Sequence, residues 1–266
     1  MALELYNRDG HVCLAYTDLV TDDMEAVQAN QFLVVDNGHC AVIDPGGNMT
    51  YHSLYMALSQ YVPARKLDMI LASHADPDIV ASLNKWLVGT DATLYISTVW
   101  SRFVPHFCSV GNTEGRVVGI ADPGGRIALG RSHLVALPAH FLHAEGNFQF
   151  YDPVARILFS GDLGTSLVSG EEAARPVSDF TRHIPRMEPF HRRYMAAGKV
   201  CRLWSQMAQG LDIEWIVPQH GRPMQGKATV KAFIDWVENL SCGIDLMTAE
   251  NYRVPDGWVA RQAVSI

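Results

Sequence analysis

An α/β fold of two mixed β-sheets, packed face to face with helices outside, is predicted by two features of the sequence. Short apolar runs bounded by Gly, Pro, Asn and Asp recur along the chain, some paired as hairpins and others separated by segments with helical spacing. Imidazoles and carboxylates fall at the ends of several of those runs and are spread from residue 74 to residue 220, so residues 1–266 are read as one domain. With 48% hydrophobic and 18% charged residues, the chain has enough apolar side chains for a substantial core.

Residues 31–36 and 40–44 form the first hairpin, joined across Asn37-Gly38, a pair suited to a two-residue turn. Asp44-Pro45-Gly46-Gly47 ends its second strand, and helical spacing over 51–61 leads through Pro63 to an apolar strand, 67–72. A helical pattern ending near Leu87 follows, and residues 93–96, 116–120, 126–129 and 133–137 continue the β pattern, with Pro123-Gly124-Gly125 as a turn. Residues 149–151 and 156–159 make another hairpin around Asp152-Pro153. From Val168 to Pro189 the stretch Ser169-Gly170-Glu171-Glu172, several Arg, and Pro176, Pro185 and Pro189 leave little apolar periodicity, so a surface loop is expected. Residues 194–207 and 227–240 have helical spacing on either side of the apolar run 215–217.

A formal charge of −7 and a pI of 5.8 argue against a general nucleic-acid surface, which needs clustered Lys and Arg. Cys13, Cys40, Cys108, Cys201 and Cys242 are odd in number and lack Cys-x-x-Cys spacing, which points to buried thiols in a reducing compartment. Residues 1–10 lack a basic region followed by an apolar one, and no apolar run approaches the length of a membrane span. A cytoplasmic protein without membrane contact is expected.

The chemically dense stretch is Ser73-His74-Ala75-Asp76-Pro77-Asp78-Ile79, between the strand at 67–72 and the helical pattern after it. By itself it supports two readings, because carboxylates at a helix start cap free N–H groups as well as bind metal. A metal needs about four to six donors, and three more candidates follow or fall between apolar runs. They are His143 in Pro138-Ala139-His140-Phe141-Leu142-His143-Ala144-Glu145, Asp162 in Ser160-Gly161-Asp162, and His220 in Pro218-Gln219-His220-Gly221.

The order His-x-[His/Glu/Asp]-x-Asp, His, Ser-Gly-Asp and His-Gly resembles the metallo-β-lactamase fold from Phe32 to at least Gly221, and so implies an αββα sandwich. Where the zinc hydrolases of that superfamily place two further His, this chain has Asp76 and Ile79. A carboxylate at the second position is similar instead to the diiron branch: the flavodiiron proteins, with His-x-Glu-x-Asp, and the related oxygen-binding diiron proteins. The runs from His143 to Asp152 and from Glu188 to Met195 also resemble that branch.

The resemblance implies two non-haem iron ions, with manganese or zinc as substitutes. His74, Asp76 and His143 would hold one ion, Asp78 and His220 the other, and Asp162 would bridge them. Three carboxylates make the set hard and oxygen-rich, which suits iron or manganese. Asp76 is one methylene shorter than the Glu of the flavodiiron motif, so whether it reaches its ion directly or through water stays open. Ile79, apolar where many relatives have His, implies an open position on the second ion for dioxygen, nitric oxide or water. Asp44 is expected near the site as a turn carboxylate and not as a ligand. His140, His191 and Tyr194 are expected as packed or capping residues, with a role in orienting ligands as the alternative. Phe141, Phe148 and Leu163 are core residues or walls of an oxygen pocket.

The function implied is dioxygen binding, with a stable peroxo species, in an oxygen sensor or carrier that signals to a protein partner; a homodimer is expected. Two alternatives remain. One is a nitric oxide or dioxygen reductase core served by a separate flavoprotein or rubredoxin, since no flavodoxin domain is read in the chain. The other is a dinuclear zinc hydrolase, against which Asp76 and Ile79 count.

Overall fold

Every strand expected above is present in the computed structural model, which describes residues 2–17, 19, 27–109, 111–168 and 170–255; Met1, Ser169 and Ile266 lie outside them. The first sheet runs, in order, β1 (Ala2–Arg8), β2 (His11–Tyr16), β3 (Gln31–Asp36), β4 (His39–Ile43), β5 (Met69–Leu71), β6 (Thr93–Ser97) and β7 (Val117–Ile120). Its first four strands are antiparallel neighbours, and β4 to β7 are parallel. The second sheet contains β8 (Gly125–Leu129), β9 (Ser132–Pro138), β10 (Phe148–Asp152), β11 (Ile157–Phe159), β12 (Trp215–Val217) and β13 (Met224–Gln225). Its order is β13-β12-β11-β10-β9-β8, antiparallel throughout except for the parallel pair β11 and β12. Both sheets are therefore mixed, as expected.

Period-two alternation assigns each strand's side chains to two layers. Phe32, Val34, Ile43, Leu71, Phe150 and Phe159 meet between the sheets. Their neighbours Leu33, Val42 and Ile70 face outward onto Leu54, Leu58 and Trp86 of α1 (Tyr51–Leu58) and a later short helix, Leu83–Gly89. On the other side, Leu158 and Ile216 pack with Met187, Cys201, Trp204 and Phe233. Three apolar layers separate four layers of structure, helices on sheet on sheet on helices.

Local chemistry explains the turns. Asn37 and Gly38 both take positive φ, 49° and 87°, as a two-residue hairpin turn demands. Asp9 and Gly10 do the same between β1 and β2, at 52° and 79°. That first hairpin extends the sheet beyond the strands expected from the sequence.

The expected loop over 168–189 is corrected. It holds a 3-10 turn, Gly170–Ala174, and most of a helix, Phe180–Tyr194. Its buried residues are His183, Met187 and His191, each four positions apart, so the inward stripe is real but two of its three members are imidazoles. Pro185 and Pro189, which argue against a helix, lie on its exposed side. Tyr194 ends this helix, and the next, Gly198–Ala208, begins after a break, so the pattern read as one helix from 194 belongs to two. In chain order the helices are α1, α2 (Pro77–Val80), α3 (Leu83–Gly89), α4 (Thr98–Ser101), α5 (Phe180–Tyr194), α6 (Gly198–Ala208) and α7 (Lys227–Glu238). Among the described residues, no helix is long and apolar enough to cross a membrane.

Candidate metal centre

Three of the six candidate donors leave their strands in the same way. His74, Asp162 and His220 each lie three residues beyond the ends of β5, β11 and β12. His143 comes from the loop between β9 and β10, and Asp76 and Asp78 flank the proline that opens α2. That loop is tightly specified: Phe141 and His143 have φ of 66° and 152°, a region non-glycine residues seldom occupy. Phe141 N–H donates to Ala144 O at 2.8 Å, and Ala196 N–H donates to Phe141 O at 3.1 Å, which holds the loop against the α5–α6 junction.

All six come together. His74, Asp76, His143 and Asp162 present ligand atoms within 4.8 Å of one another. His143 Nε2 lies 3.0 Å from Asp76 Oδ2 and 3.7 Å from Asp162 Oδ2, and His74 Nε2 lies 3.6 Å from Asp76 Oδ2. Asp78 and His220 form a second pair at 3.2 Å, and His220 Nε2 lies 3.7 Å from Asp162 Oδ1. Asp162 therefore stands between two groups of donors. The short Asp76 side chain does reach the cluster.

The capping alternative is answered by the same atoms. Asp76 occupies the N-cap position of α2 yet makes no side-chain cap bond. His74 Nε2 and Asp162 Oδ1 are buried, face each other at 3.9 Å, and have no hydrogen-bond partner. Unpaired buried polar atoms are costly, and a cation among them would satisfy both.

The far side of each ring is fixed. His74 Nδ1 lies 3.0 Å from Ser73 Oγ, whose hydroxyl donates to Asp44 at 3.0 Å; Ser73 N–H donates to Asp44 at 2.8 Å. Asp44 is thus beside the site and bonded to protein groups, as expected. His220 Nδ1 donates to Gln28 O at 2.6 Å. In both rings Nε2 is the nitrogen left facing the carboxylates, the orientation metal-binding imidazoles take. Gln219 Nε2 donates to Asp78 Oδ2 at 3.1 Å.

Charge dominates the titration. Burial opposes protonation of His74, but the Asp76 carboxylate 3.6 Å away and the fields of Asp162 and Asp44 outweigh it and hold the imidazole at about 9. Burial likewise opposes, and Asp78 and Asp162 overcome, in raising His220 to about 9. Asp76 is held far below the carboxylate range by His143 and His74. Protons on imidazoles therefore balance the carboxylates until a metal replaces them.

A cleft of about 820 Å³ opens onto these residues, walled by Met49, Leu167, Phe190 and Tyr194 among others. Phe190 and Tyr194 stack with ring centroids 4.6 Å apart, and Tyr194 meets His143 edge-on at 5.4 Å. Ile79 is fully buried in the apolar layer with Leu83 and Trp86. Phe148 packs between the sheets and Leu163 beneath the second sheet, whereas Phe141 is exposed. His140 bonds Asp122 O at 2.9 Å. His191 is fully buried; its Nδ1 donates to Met187 O at 2.8 Å and its Nε2 accepts from Gly164 N–H at 2.9 Å, just beyond Asp162. Sequence reasoning missed Gln28, Ser73 and Gln219 as supports. Ser73 and Gln219 adjoin their histidines, the one signal available; Gln28 acts partly through a backbone carbonyl, which no residue type announces.

A four-layer sandwich with these donors at its strand ends defines a metallo-β-lactamase-fold protein with a histidine–aspartate metal site. The family model described as ODP family beta lactamase matches residues 27–221. The chain belongs to that family. It is 35% identical to the chemotaxis sensor ODP of T. denticola in its apo state, covering 94% of this chain and 98% of that one with a TM-score of 0.83. A structure of a peroxy diiron species of chemotaxis sensor ODP matches at the same identity and coverage, with a TM-score of 0.82. The flavodiiron protein of Giardia intestinalis shares the fold at 17% identity and a TM-score of 0.72, over 88% of this chain and 60% of that chain. An uncharacterized protein of Methanocaldococcus jannaschii is 24% identical over 201 residues, 72% of this chain; the chain spans about half, 48%, of that curated relative.

Proposed function

We propose that this protein is a non-haem diiron protein that binds dioxygen and acts as an oxygen sensor, signalling to a protein partner. The carrying observation is the pair of unpartnered buried atoms, His74 Nε2 and Asp162 Oδ1, at the centre of six converging donors. A chemotaxis sensor 35% identical over nearly its whole length, seen as a peroxy diiron species, supports both the metal and the role.

In this reading His74, Asp76 and His143 would hold one iron and Asp78 and His220 the second, with Asp162 placed to serve both. Bound there as ferrous ions, the pair would supply the electrons for dioxygen binding. The chain's own residues do the rest. Ser73 and Gln28 fix the rings of His74 and His220 with Nε2 inward. Gln219 holds the Asp78 carboxylate in place, and the His191 bond to Gly164 fixes the turn that carries Asp162. Met49, Leu167 and the stacked Phe190 and Tyr194 give the cleft apolar walls that admit a small neutral gas. All five cysteines are buried free thiols, which supports a cytoplasmic setting.

The test is anaerobic reconstitution with ferrous iron, a metal count, and visible spectra as air is admitted. Two irons per chain and a long-lived absorption band are expected, with both lost in Asp162→Ala. Continued oxygen uptake with an added reductant would make the protein a reductase. Two tightly held zinc ions, indifference to oxygen and ester hydrolysis would overturn the proposal.

A further inference from the structure

Away from the metal centre, two thiols from distant parts of the chain touch. Cys201 lies in the first turns of α6 and Cys242 follows α7; both are fully buried, with Sγ atoms 3.7 Å apart. Their backbones are tied together as well. Asp245 Oδ2 accepts from Gly198 N–H at 2.6 Å, at the start of α6, and from Cys242 N–H at 3.3 Å. Neither sulfur needs to travel far to meet the other, so bond formation between them carries little of the usual entropy of bringing two groups together.

We propose that Cys201 and Cys242 are a redox-active thiol pair, oxidised by a hydroperoxide to a disulfide that links α6 to the segment after α7. Cys242 is the attacking sulfur. The Cys201 S–H bond to it lowers its pKa; burial and Asp245 oppose this, and Arg192 and Arg202 assist. It sits next to the exposed Ser241, whereas Cys201 lies within a helix. In the first step the Cys242 thiolate attacks one peroxide oxygen, the O–O bond breaks, and Cys242 sulfenic acid and hydroxide form. In the second, the Cys201 sulfur attacks that of Cys242, the S–O bond breaks, and water leaves. Two thiols lose two electrons and two protons in all, and one hydrogen peroxide becomes two waters.

The location gives the cross-link a route to the metal centre. Gly243 N–H donates to Arg192 O at 2.9 Å and Ile244 N–H to Ala196 O at 2.9 Å. Ala196 N–H in turn holds Phe141 O, two residues from His143. A Cys201–Cys242 bond therefore braces the support of the His143 loop.

Full-length protein, as iron-loaded and as chelator-stripped samples, is treated with a small excess of hydrogen peroxide, denatured, alkylated and mapped by mass spectrometry. Alkylatable thiols are expected to fall from five to three, with a joined Cys201–Cys242 peptide that dithiothreitol separates. Loss in the stripped sample makes the outcome independent of the diiron reading. In Cys201→Ser, a dimedone adduct on Cys242 is expected in place of the cross-link. Five surviving thiols, or losses spread evenly over all five without the joined peptide, would overturn the proposal whether or not the variant folds.

Discussion

His11 and His74 are both buried imidazoles set among aspartates, and they lie at opposite ends of the sandwich. His11 opens β2 beside the end of β3, where Asp36 lies, and Asp152 ends β10; the metal-centre donors follow the far ends of the neighbouring strands β5 and β11. At the His11 end everything is paired. His11 Nδ1 bonds Asp36 at 3.1 Å, its Nε2 bonds Asp152 at 2.7 Å, and Cys13 Sγ donates to Asp152 at 3.3 Å. The remaining carboxylate oxygens take backbone N–H groups: Val154 and Ala155 on Asp152, Arg131 and Ser132 on Asp36. At the His74 end His74 Nε2 and Asp162 Oδ1 are among the atoms left without partners, and a cleft opens onto the site. Residue types alike in kind make a closed clamp between the sheets in one place and a receptive site in the other. What separates them is whether the hydrogen bonds close.

The largest effects should divide along that line. His11→Leu leaves the buried Asp36 and Asp152 without their shared cation, and a loss of about 3–5 kcal/mol in unfolding free energy is expected, with the iron count unchanged. Asp162→Ala should do the reverse, removing the iron while moving the denaturation midpoint of metal-free protein far less. Denaturant titration and metal analysis of both variants check this, and equal loss of stability in the two would erase the distinction. The clamp also has a pH signature. Burial opposes the charge on His11, but Asp152 and Asp36 raise it above its ordinary 6.5, so its stabilisation is full below that value and declines as pH rises through the raised one. Burial pushes Asp36 up, but His11 and the backbone donors hold it below its ordinary 3.8, so its share is lost only as pH falls through the lowered value.

The receptive site should respond to pH through metal binding as well as through folding, because the raised His74 and His220 also favour the metal-free fold until pH rises through about 9. His74 and His220, each at about 9 when metal-free, are protonated at pH 7 and must both lose that proton to bind through Nε2. Below about pH 9 the combined affinity for the two ions should therefore fall about a hundredfold per unit, about 2.7 kcal/mol, about tenfold for each ion. Calorimetry in buffers of different ionisation enthalpy counts those protons; release of none would mean that the rings are neutral before metal arrives.

Much of the receptive site was legible because its residues sit in short motifs at strand ends: His74, Asp76 and Asp78 within five positions, and Asp162 and His220 each beside glycine. The clamp has the same residue types but no motif. His11 is 25 positions from Asp36 and 141 from Asp152, so only the packing of one sheet on the other reveals it. The β1–β2 hairpin carried the same signal as its neighbour, Asp9-Gly10 for Asn37-Gly38, and could have been read. α5 could not be read by apolar spacing, because His183 and His191 supply most of its inward stripe and its prolines face out. Ile79 was read as supplying no donor to the second ion from its place in the motif, and the helix turns it into the core.

The smallest effect tests the site's own asymmetry. His74 is supported by a hydroxyl backed by a buried carboxylate, through Ser73 and Asp44, whereas Asp78 depends on one amide, Gln219 Nε2 at 3.1 Å, and is itself partly exposed. Gln219→Leu removes that donor at a fully buried position and leaves the His74 side of the site untouched. Loss of one such orienting bond should weaken the second metal about tenfold and the first hardly at all. Anaerobic stepwise titration with ferrous or cobaltous ion resolves the two binding events. Unequal weakening supports two ions held by separate donor sets joined at Asp162, while equal weakening of both would mean that the six donors bind as one unit.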